Sequence, residues 1–85
     1  MQHTEFNFHN EGVQYIYEFD NGLKLSAILT PYSYGGEQGL WEIGVYKHGI
    51  MWYNSPITNN NDAVLGYLTW DQVQDKLKEC EEWTD

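Results

Sequence analysis

The amino-acid sequence predicts an α+β fold, in which an antiparallel sheet of four to five strands carries one C-terminal helix packed on one face. Three features predict it: two alternating apolar and polar segments joined at Asn21-Gly22, further apolar alternation after Pro31, and one amphipathic segment after Thr69. The 85 residues are expected to form a single domain over 1–85, because this length leaves no room for a second core.

The first hairpin is the clearest strand pattern. Apolar residues alternate with polar residues over 13–19 and again over 23–29. A three-residue loop, Asp20-Asn21-Gly22, sets Phe19 opposite Leu23 and keeps the apolar residues of both strands on one face, whereas a two-residue loop would mix the faces. The three-residue loop is therefore expected, with Gly22 in the left-handed position of a type I turn with a bulge.

The segments on either side of this hairpin are less regular. Thr4–Phe8 is expected to form a first strand with Phe6 and Phe8 on one face, and His9–Gly12 is expected to turn. Thr30–Gly39 is a long connection, and its three glycines are expected to leave the backbone loose.

A second hairpin follows this connection. Apolar residues alternate over 41–45 and predict a strand, and His48-Gly49 marks a turn. Ile50–Asn54 is expected to return as a strand, but its register stays open because a two- or a three-residue loop would serve. Ser55–Asp62 is polar and indicates a loop.

One helix is predicted after Thr69. Thr69 and Gln72 have the spacing of a capping box, and Leu68 and Val73 stand at the positions of a hydrophobic staple. The stripe expected to face the sheet is apolar: Trp70, Val73, Leu77 and Cys80. The opposite side of the helix carries a row of carboxylates: Asp71, Asp75, Glu79 and Glu82.

The charge balance excludes several classes of partner. Four lysines and no arginine stand against 13 Asp and Glu, which gives a net charge of −9 and a pI near 4.4. Nucleic acid and anionic membranes are therefore not expected to be direct partners, since binding a phosphate backbone requires clustered cations. A basic protein surface would be attracted to this chain at long range. The aromatic fraction of 16% argues for a folded domain, because disordered acidic tails contain few aromatic residues.

Cysteine usage and the N-terminal residues bear on the compartment. Cys80 is the single cysteine, so no internal disulfide can form. The first residues show no basic segment followed by an apolar run, and no apolar run has the length of a bilayer span. These features favour the cytoplasm.

No pattern predicts catalysis, a metal site or a cofactor. His3, His9 and His48 lie at the terminus and in separate predicted turns, without the spacing of metal ligands. Cys80 lies on the apolar stripe of the helix and is expected to be a small buried hydrophobic residue. Gly35-Gly36 precedes a strand and has no cation beside it, unlike a phosphate-binding loop. The chain is therefore not expected to be an enzyme.

Two features are candidates for binding a partner. The carboxylate row weakens its own helix by like-charge repulsion, which a basic partner would relieve, although such rows are also ordinary solvated faces. The loop after Pro31 holds Tyr32, Tyr34 and Glu37 among Ser and Gly residues, a composition favoured in recognition loops. The alternative for this loop is that one tyrosine folds back and completes the small core.

A pattern of turn and cap residues resembles a family. It consists of Asp20-Asn21-Gly22, Ser26, Tyr34-Gly35-Gly36, Gly39-Leu40-Trp41-Glu42-Ile43, Val45, Val64, Gly66-Tyr67-Leu68-Thr69 and Val73. It resembles a recurring group of small accessory proteins of bacterial viruses, over about Asp20 to Leu77. The resemblance implies an intracellular viral origin, and so the host cytoplasm, and it carries over no enzymatic activity.

The expected function is that of a non-catalytic acidic inhibitor. Several unrelated small acidic virus proteins block host enzymes that handle nucleic acids, including CRISPR effectors and restriction enzymes, and the analogy is one of type only. Here the acidic helix and the tyrosine loop would dock on such a basic host protein, by nucleic-acid mimicry or by steric blocking. The alternative is a structural protein that forms homo-oligomers through Ile50–Asn54 or through the edge strand of Phe6 and Phe8.

Overall fold

A computed structural model of the protein describes residues 3–9, 11–59 and 63–84, without the side chains of His3 and His9. Within these residues the chain forms six strands and then one α-helix, which confirms the predicted α+β fold. The elements are β1 (His3–His9), β2 (Gly12–Glu18), β3 (Leu23–Leu29), β4 (Trp41–Lys47), β5 (Ile50–Met51), β6 (Val64–Leu68) and α1 (Trp70–Glu82).

The strands form one antiparallel sheet in the order β1-β2-β3-β4, and both β5 and β6 pair with the other edge of β4. The sequence pattern does not predict β6, because its alternation is interrupted. Gly66 lies in the middle of this strand, and Tyr67 has a left-handed φ of 59°. The pairing of β6 with β4 is irregular between Trp41 and Ile43.

The β2–β3 hairpin has the predicted register. Tyr17 pairs with Leu25, and Glu18 pairs with Lys24. The Phe19 N–H donates to the Leu23 carbonyl at 2.9 Å, and Gly22 has a φ of 89°. The apolar side chains of both strands therefore lie on one face, as the alternation requires.

Two expected strand boundaries were wrong. β1 extends to His9, so the expected turn at His9–Gly12 is shorter; its residue 10 lies outside the described residues. β5 ends at Met51 instead of Asn54, after a two-residue turn in which both His48 and Gly49 have positive φ. The strand ends because Asn54 is left-handed and the chain then enters a short 3₁₀ turn at Pro56–Thr58. Residues 60–62 of the predicted loop are not among those described.

The core lies between the sheet and the predicted apolar stripe of α1. The capping box at Thr69 is present, and Val73 and Cys80 have no exposed area. The other buried apolar residues of this core come mainly from β2, β3 and β4: Tyr17, Phe19, Leu23, Leu25, Ala27, Ile43, Val45, Ile57 and Leu68. Trp52 and Trp83 pack against its margin, with their ring centroids 5.2 Å apart.

Asn21, in the turn between β2 and β3, binds the C-terminal end of α1. The Asn21 side-chain amide donates to the carbonyls of Cys80 at 2.7 Å and Trp83 at 3.1 Å, while its Oδ1 accepts from the Leu23 N–H at 3.1 Å. The last carbonyls of a helix lack partners within the helix. A residue that the sequence marks only as a turn residue therefore also caps the helix.

Candidate functional site

The connection between β3 and β4 is ordered by hydrogen bonds, which corrects the expectation of a loose backbone. The buried Thr30 hydroxyl accepts from the N–H groups of Tyr32 and Ser33, both at 3.0 Å. The Ser33 hydroxyl accepts from the Thr30 N–H at 3.0 Å, and Gly36–Gln38 form a 3₁₀ turn. Gly35 and Gly39 flank this turn with left-handed φ values of 90° and 74°. These glycines therefore allow one defined backbone conformation and do not leave the loop loose.

The same loop packs against β6. The Tyr67 N–H donates to the Tyr34 carbonyl at 3.2 Å, and the Tyr34 N–H donates to the Glu42 carboxylate at 2.8 Å. A Cβ atom added at Gly66 would collide with Cβ of Tyr34, so this close approach depends on glycine. The loop therefore has one defined position beside the residues that precede α1.

A cleft of about 230 Å³ opens between this loop and β6, and we name it the tyrosine cleft. Tyr32, Tyr34 and Tyr67 are 74%, 60% and 58% exposed. The Tyr32 hydroxyl donates to the Glu11 carboxylate at 3.3 Å. The larger side chains that line the cleft are Tyr32, Tyr34, Glu37, Gln38 and Tyr67. Neither predicted tyrosine folds into the core, and the structure brings both together with Glu37.

Tyr67 is the aromatic residue of this cleft that the sequence pattern does not predict. It follows Gly66 directly, and its left-handed backbone turns it out of the regular strand alternation. Non-glycine residues seldom take this conformation, so no alternation pattern predicts where such a side chain points. Gly66 beside Tyr67 was the available signal, because a glycine inside a strand often marks a close backbone approach.

The four predicted carboxylates of α1 are all exposed on the side away from the core. One of them is partly neutralised, because Glu79 forms an ion pair with Lys76 at 3.2 Å. Lys76 also donates to the Asn59 side chain at 2.9 Å. The other three, Asp71, Asp75 and Glu82, lie on the same side of α1 as the exposed Lys78, and we name these three carboxylates the acidic face. The acidic face begins at Asp71, four residues after Tyr67 in the sequence, and ends at Glu82, the last residue of α1.

Two other concavities lie on the sheet. One has about 430 Å³ beside the ends of β2 and β3, where Val13, Leu29 and Pro31 line it. The second has about 290 Å³ on the sheet face away from α1, over Gly44. The tyrosine cleft is the concavity that holds both predicted tyrosines.

Neither Cys80 nor His48 is among the residues that line the tyrosine cleft. Burial raises the pKa of the Cys80 thiol to about 12, and the thiol has no exposed area, as predicted for a buried hydrophobic residue. His48 is exposed, and its ring lies against Gly22. Within the described residues, no three His, Cys, Asp or Glu side chains are grouped to hold a metal ion. No helix in the same residues is long and apolar enough to cross a membrane.

No family model, curated protein or solved structure matches this chain significantly. The resemblance to small accessory proteins of bacterial viruses therefore stays a prediction. A function for this protein has to be inferred mainly from the contacts and charges of the chain.

Proposed function

We propose that this protein is a non-catalytic acidic binding protein that docks on a basic surface of another protein. The observation that carries the proposal is the acidic face, with exposed carboxylates at Asp71, Asp75 and Glu82, in a protein that also exposes the tyrosine cleft. Charge provides long-range attraction, and exposed tyrosines provide contact area with little loss of conformational entropy.

The spacing of the carboxylates supports a partner that handles nucleic acid. Asp71 and Asp75 are one helical turn apart, which separates them by about 6 Å along the axis. This spacing is of the same order as that of phosphates along a nucleic-acid strand. A groove that binds a phosphate backbone would therefore also attract the acidic face.

In this proposal the biological role is that of a virus-type inhibitor in the host cytoplasm. The partner would be a host defence enzyme such as a CRISPR effector or a restriction enzyme. The protein would occupy its basic groove as a mimic or cover it as a steric block. The support is the net charge of −9 and the turn-and-cap pattern that resembles small virus proteins.

Two double variants with equal charge test the proposal. Asp75→Lys with Glu82→Lys changes the acidic face, while Glu5→Lys with Glu18→Lys changes exposed carboxylates elsewhere on the sheet. Each pair raises the net charge by four. A lysine at the C-terminal end of α1 also interacts favourably with the helix dipole, so the first pair is expected to stay folded.

The measurement is a pull-down from bacterial lysate over a salt series, with identification of the retained proteins by mass spectrometry. We expect the wild type and the Glu5, Glu18 variant to retain the same basic proteins, and the Asp75, Glu82 variant to lose them. Added duplex DNA is expected to compete for the retained proteins. Equal retention by both variants would contradict the proposal.

A second candidate function is assembly with further copies of the chain. It is favoured by the edge strand β1, on which Phe6 is 47% and Phe8 85% exposed. An edge strand with exposed apolar side chains can pair with a second edge strand. Ile50 is exposed too, but β5 has only two residues, so β1 offers the longer edge. Light scattering at micromolar concentration distinguishes the two candidates, since assembly requires a mass above that of the monomer.

A further inference from the structure

We infer that the tyrosine cleft binds a guanidinium group, and that an arginine side chain of the basic partner is its natural ligand. The inference rests on the proposed function and names the residue type through which the partner would be held. It concerns a different surface from the acidic face, so the two can be tested separately.

The side chains that line the cleft offer hydrogen-bond acceptors. Part of the surrounding backbone is used internally: the Tyr34 N–H donates to Glu42, and the Tyr34 carbonyl accepts from Tyr67. The Gly35 carbonyl accepts from the N–H groups of Gln38 and Leu40, both at 2.9 Å. The lining side chains then present the exposed Glu37 carboxylate, which only accepts, and phenol hydroxyls and the Gln38 amide, which both accept and donate. A ligand rich in donors matches this set.

The charged side chains at the cleft and its margin are carboxylates. Glu37 lines it, while Glu42 and Glu11 are bound to Tyr34 and Tyr32 at its margin. No lysine is among its lining residues, and the sequence contains no arginine. An anion would therefore be repelled, and a cation must come from another molecule.

The chain itself shows that its aromatic rings accept cations. The Lys24 ammonium lies 5.0 Å from the centre of the Tyr46 ring, and the Lys47 ammonium lies 4.8 and 4.5 Å from the rings of Trp52 and Trp83. The three tyrosines of the cleft offer the same kind of surface while more than half exposed. Attraction between a cation and a ring strengthens as both lose water.

Size and geometry select arginine among cations. Pockets for drug-sized ligands start at about 300 Å³, so a cleft of about 230 Å³ suits the head of one side chain. Guanidinium is planar, presents five donors and is more weakly hydrated than ammonium, so it stacks on rings at a lower desolvation cost. The hydrogen-bonded loop holds the cleft in place before binding, which reduces the entropy lost on association.

The test is an NMR titration of the full chain with single-residue probes. The ligand is Nα-acetyl-arginine amide, and the matched probes are the amides of acetyl-citrulline, which has a similar shape without charge, and acetyl-lysine. We expect the arginine probe to shift the backbone amides of Gly35, Glu37 and Tyr67 saturably. Citrulline is expected to bind about tenfold more weakly or not at all, and lysine several-fold more weakly.

Two variants assign the site. Glu37→Gln removes the charge, and Tyr67→Asn removes one ring with a residue that tolerates the left-handed backbone of this position. Each is expected to weaken arginine binding by about fivefold or more, since one charged or aromatic contact contributes on this scale. Tyr53→Leu, at an exposed tyrosine outside the cleft, is the control and should leave binding unchanged.

Equal binding of arginine and citrulline would overturn the inference. So would shifts confined to the acidic face, or full binding by the Glu37→Gln variant, which needs no backbone change. Any of these results would leave the proposed function standing if capture still depended on Asp75 and Glu82. Conversely, arginine binding without any captured protein would reject the proposed function alone.

Discussion

The half of the sheet under α1, which includes β3 and β4, is here the covered half, and the half that includes β1 is the uncovered half. The two halves differ in burial, although apolar and polar residues alternate in the same way in both. In β3 and β4, Leu25 and Val45 have no exposed area. In β1, Phe6 and Phe8 have the same spacing and lie on the same face as Tyr15, yet Phe8 is 85% exposed. Alternation therefore indicates which face a side chain takes, and it does not indicate whether that face is covered.

The position of α1 explains the difference. The helix contacts β3, β4 and β6. A helix with side chains is about 10 Å wide and strands lie about 4.8 Å apart, so one helix covers two to three strands of the sheet. Beyond the helix, a series of packed aromatic rings covers part of the sheet. It extends from Trp70 through Trp41 and Tyr15 to Phe6, and the centroids of successive rings lie 4.9 to 5.9 Å apart. Phe8 lies at the uncovered end of this series, 5.4 Å from Phe6.

The substitution with the largest expected effect on stability lies in the core under the helix. Leu25→Ala removes a fully buried side chain from the centre of the core and is expected to lower the free energy of unfolding by about 2–5 kcal/mol. Chemical denaturation measured by tryptophan fluorescence is the check. A loss below about 1 kcal/mol would mean that the covered half is less tightly packed than its burial indicates.

A smaller loss of unfolding free energy is expected at Asn21, which joins the C-terminal end of α1 to the β2–β3 hairpin. Asn21→Ala removes the donor to the carbonyls of Cys80 and Trp83 and should cost about 1–3 kcal/mol of unfolding free energy. Asn21→Asp keeps an acceptor for the Leu23 N–H but places a carboxylate against carbonyl oxygens at the negative end of the helix dipole. The same denaturation experiment should show the Asp variant to be the less stable of the two. The reverse order would contradict the capping role of the amide.

The free energy of unfolding should also depend on pH in the alkaline range, because Cys80 is buried in the covered half. Burial, and then the charge of Glu79, raise the pKa of its thiol from 9.0 to about 12. Below pH 9 the thiol is protonated in both states, and between pH 9 and 12 the unfolded chain releases the proton first. The free energy of unfolding therefore falls as pH rises through this window, by at most about 1.4 kcal/mol per pH unit.

Comparison with Cys80→Ala isolates this contribution, because the two proteins differ only by the side chain that carries the thiol. The stability difference between wild type and variant should shrink as pH rises above 9. A difference that stays constant with pH would show that the thiol is not protected in the native state.

The smallest expected effect lies on the uncovered half. Phe8→Ser replaces a side chain that is mostly in water and should change the free energy of unfolding by less than about 0.5 kcal/mol. Denaturation at several protein concentrations is the measurement. A larger loss that grows with concentration would show that a second copy covers β1, and would favour assembly as the function.

The sequence predicted the elements that depend on local chemistry. The register of the β2–β3 hairpin follows from Phe19, Leu23 and the turn glycine, because a slip by one residue would invert both faces. The start of α1 follows from Thr69 and Gln72, because the side chain of each accepts a hydrogen bond from the backbone N–H of the other.

The candidate site was predicted only in part. Tyr32, Tyr34 and Glu37 are neighbours in sequence, so their grouping in one cleft could be foreseen, and the carboxylates of α1 lie outward as the helical period requires. Tyr67 could not be foreseen, since it reaches the cleft through a left-handed backbone and a long-range contact with Tyr34. The ion pair of Glu79 with Lys76 follows a known helical spacing, whereas the hydrogen bond from Lys76 to Asn59 joins residues 17 positions apart and has no local signal.

Local patterns in the sequence determined most of the strands, the helix and the side of each element that is apolar, because these depend on periods of 2 and 3.6 residues and on cap residues. The tertiary structure alone decided which apolar surfaces are covered and which residues distant in sequence meet. Those outcomes depend on where one helix lies across a wider sheet, and on contacts such as Asn21 with Cys80 that join residues far apart along the chain.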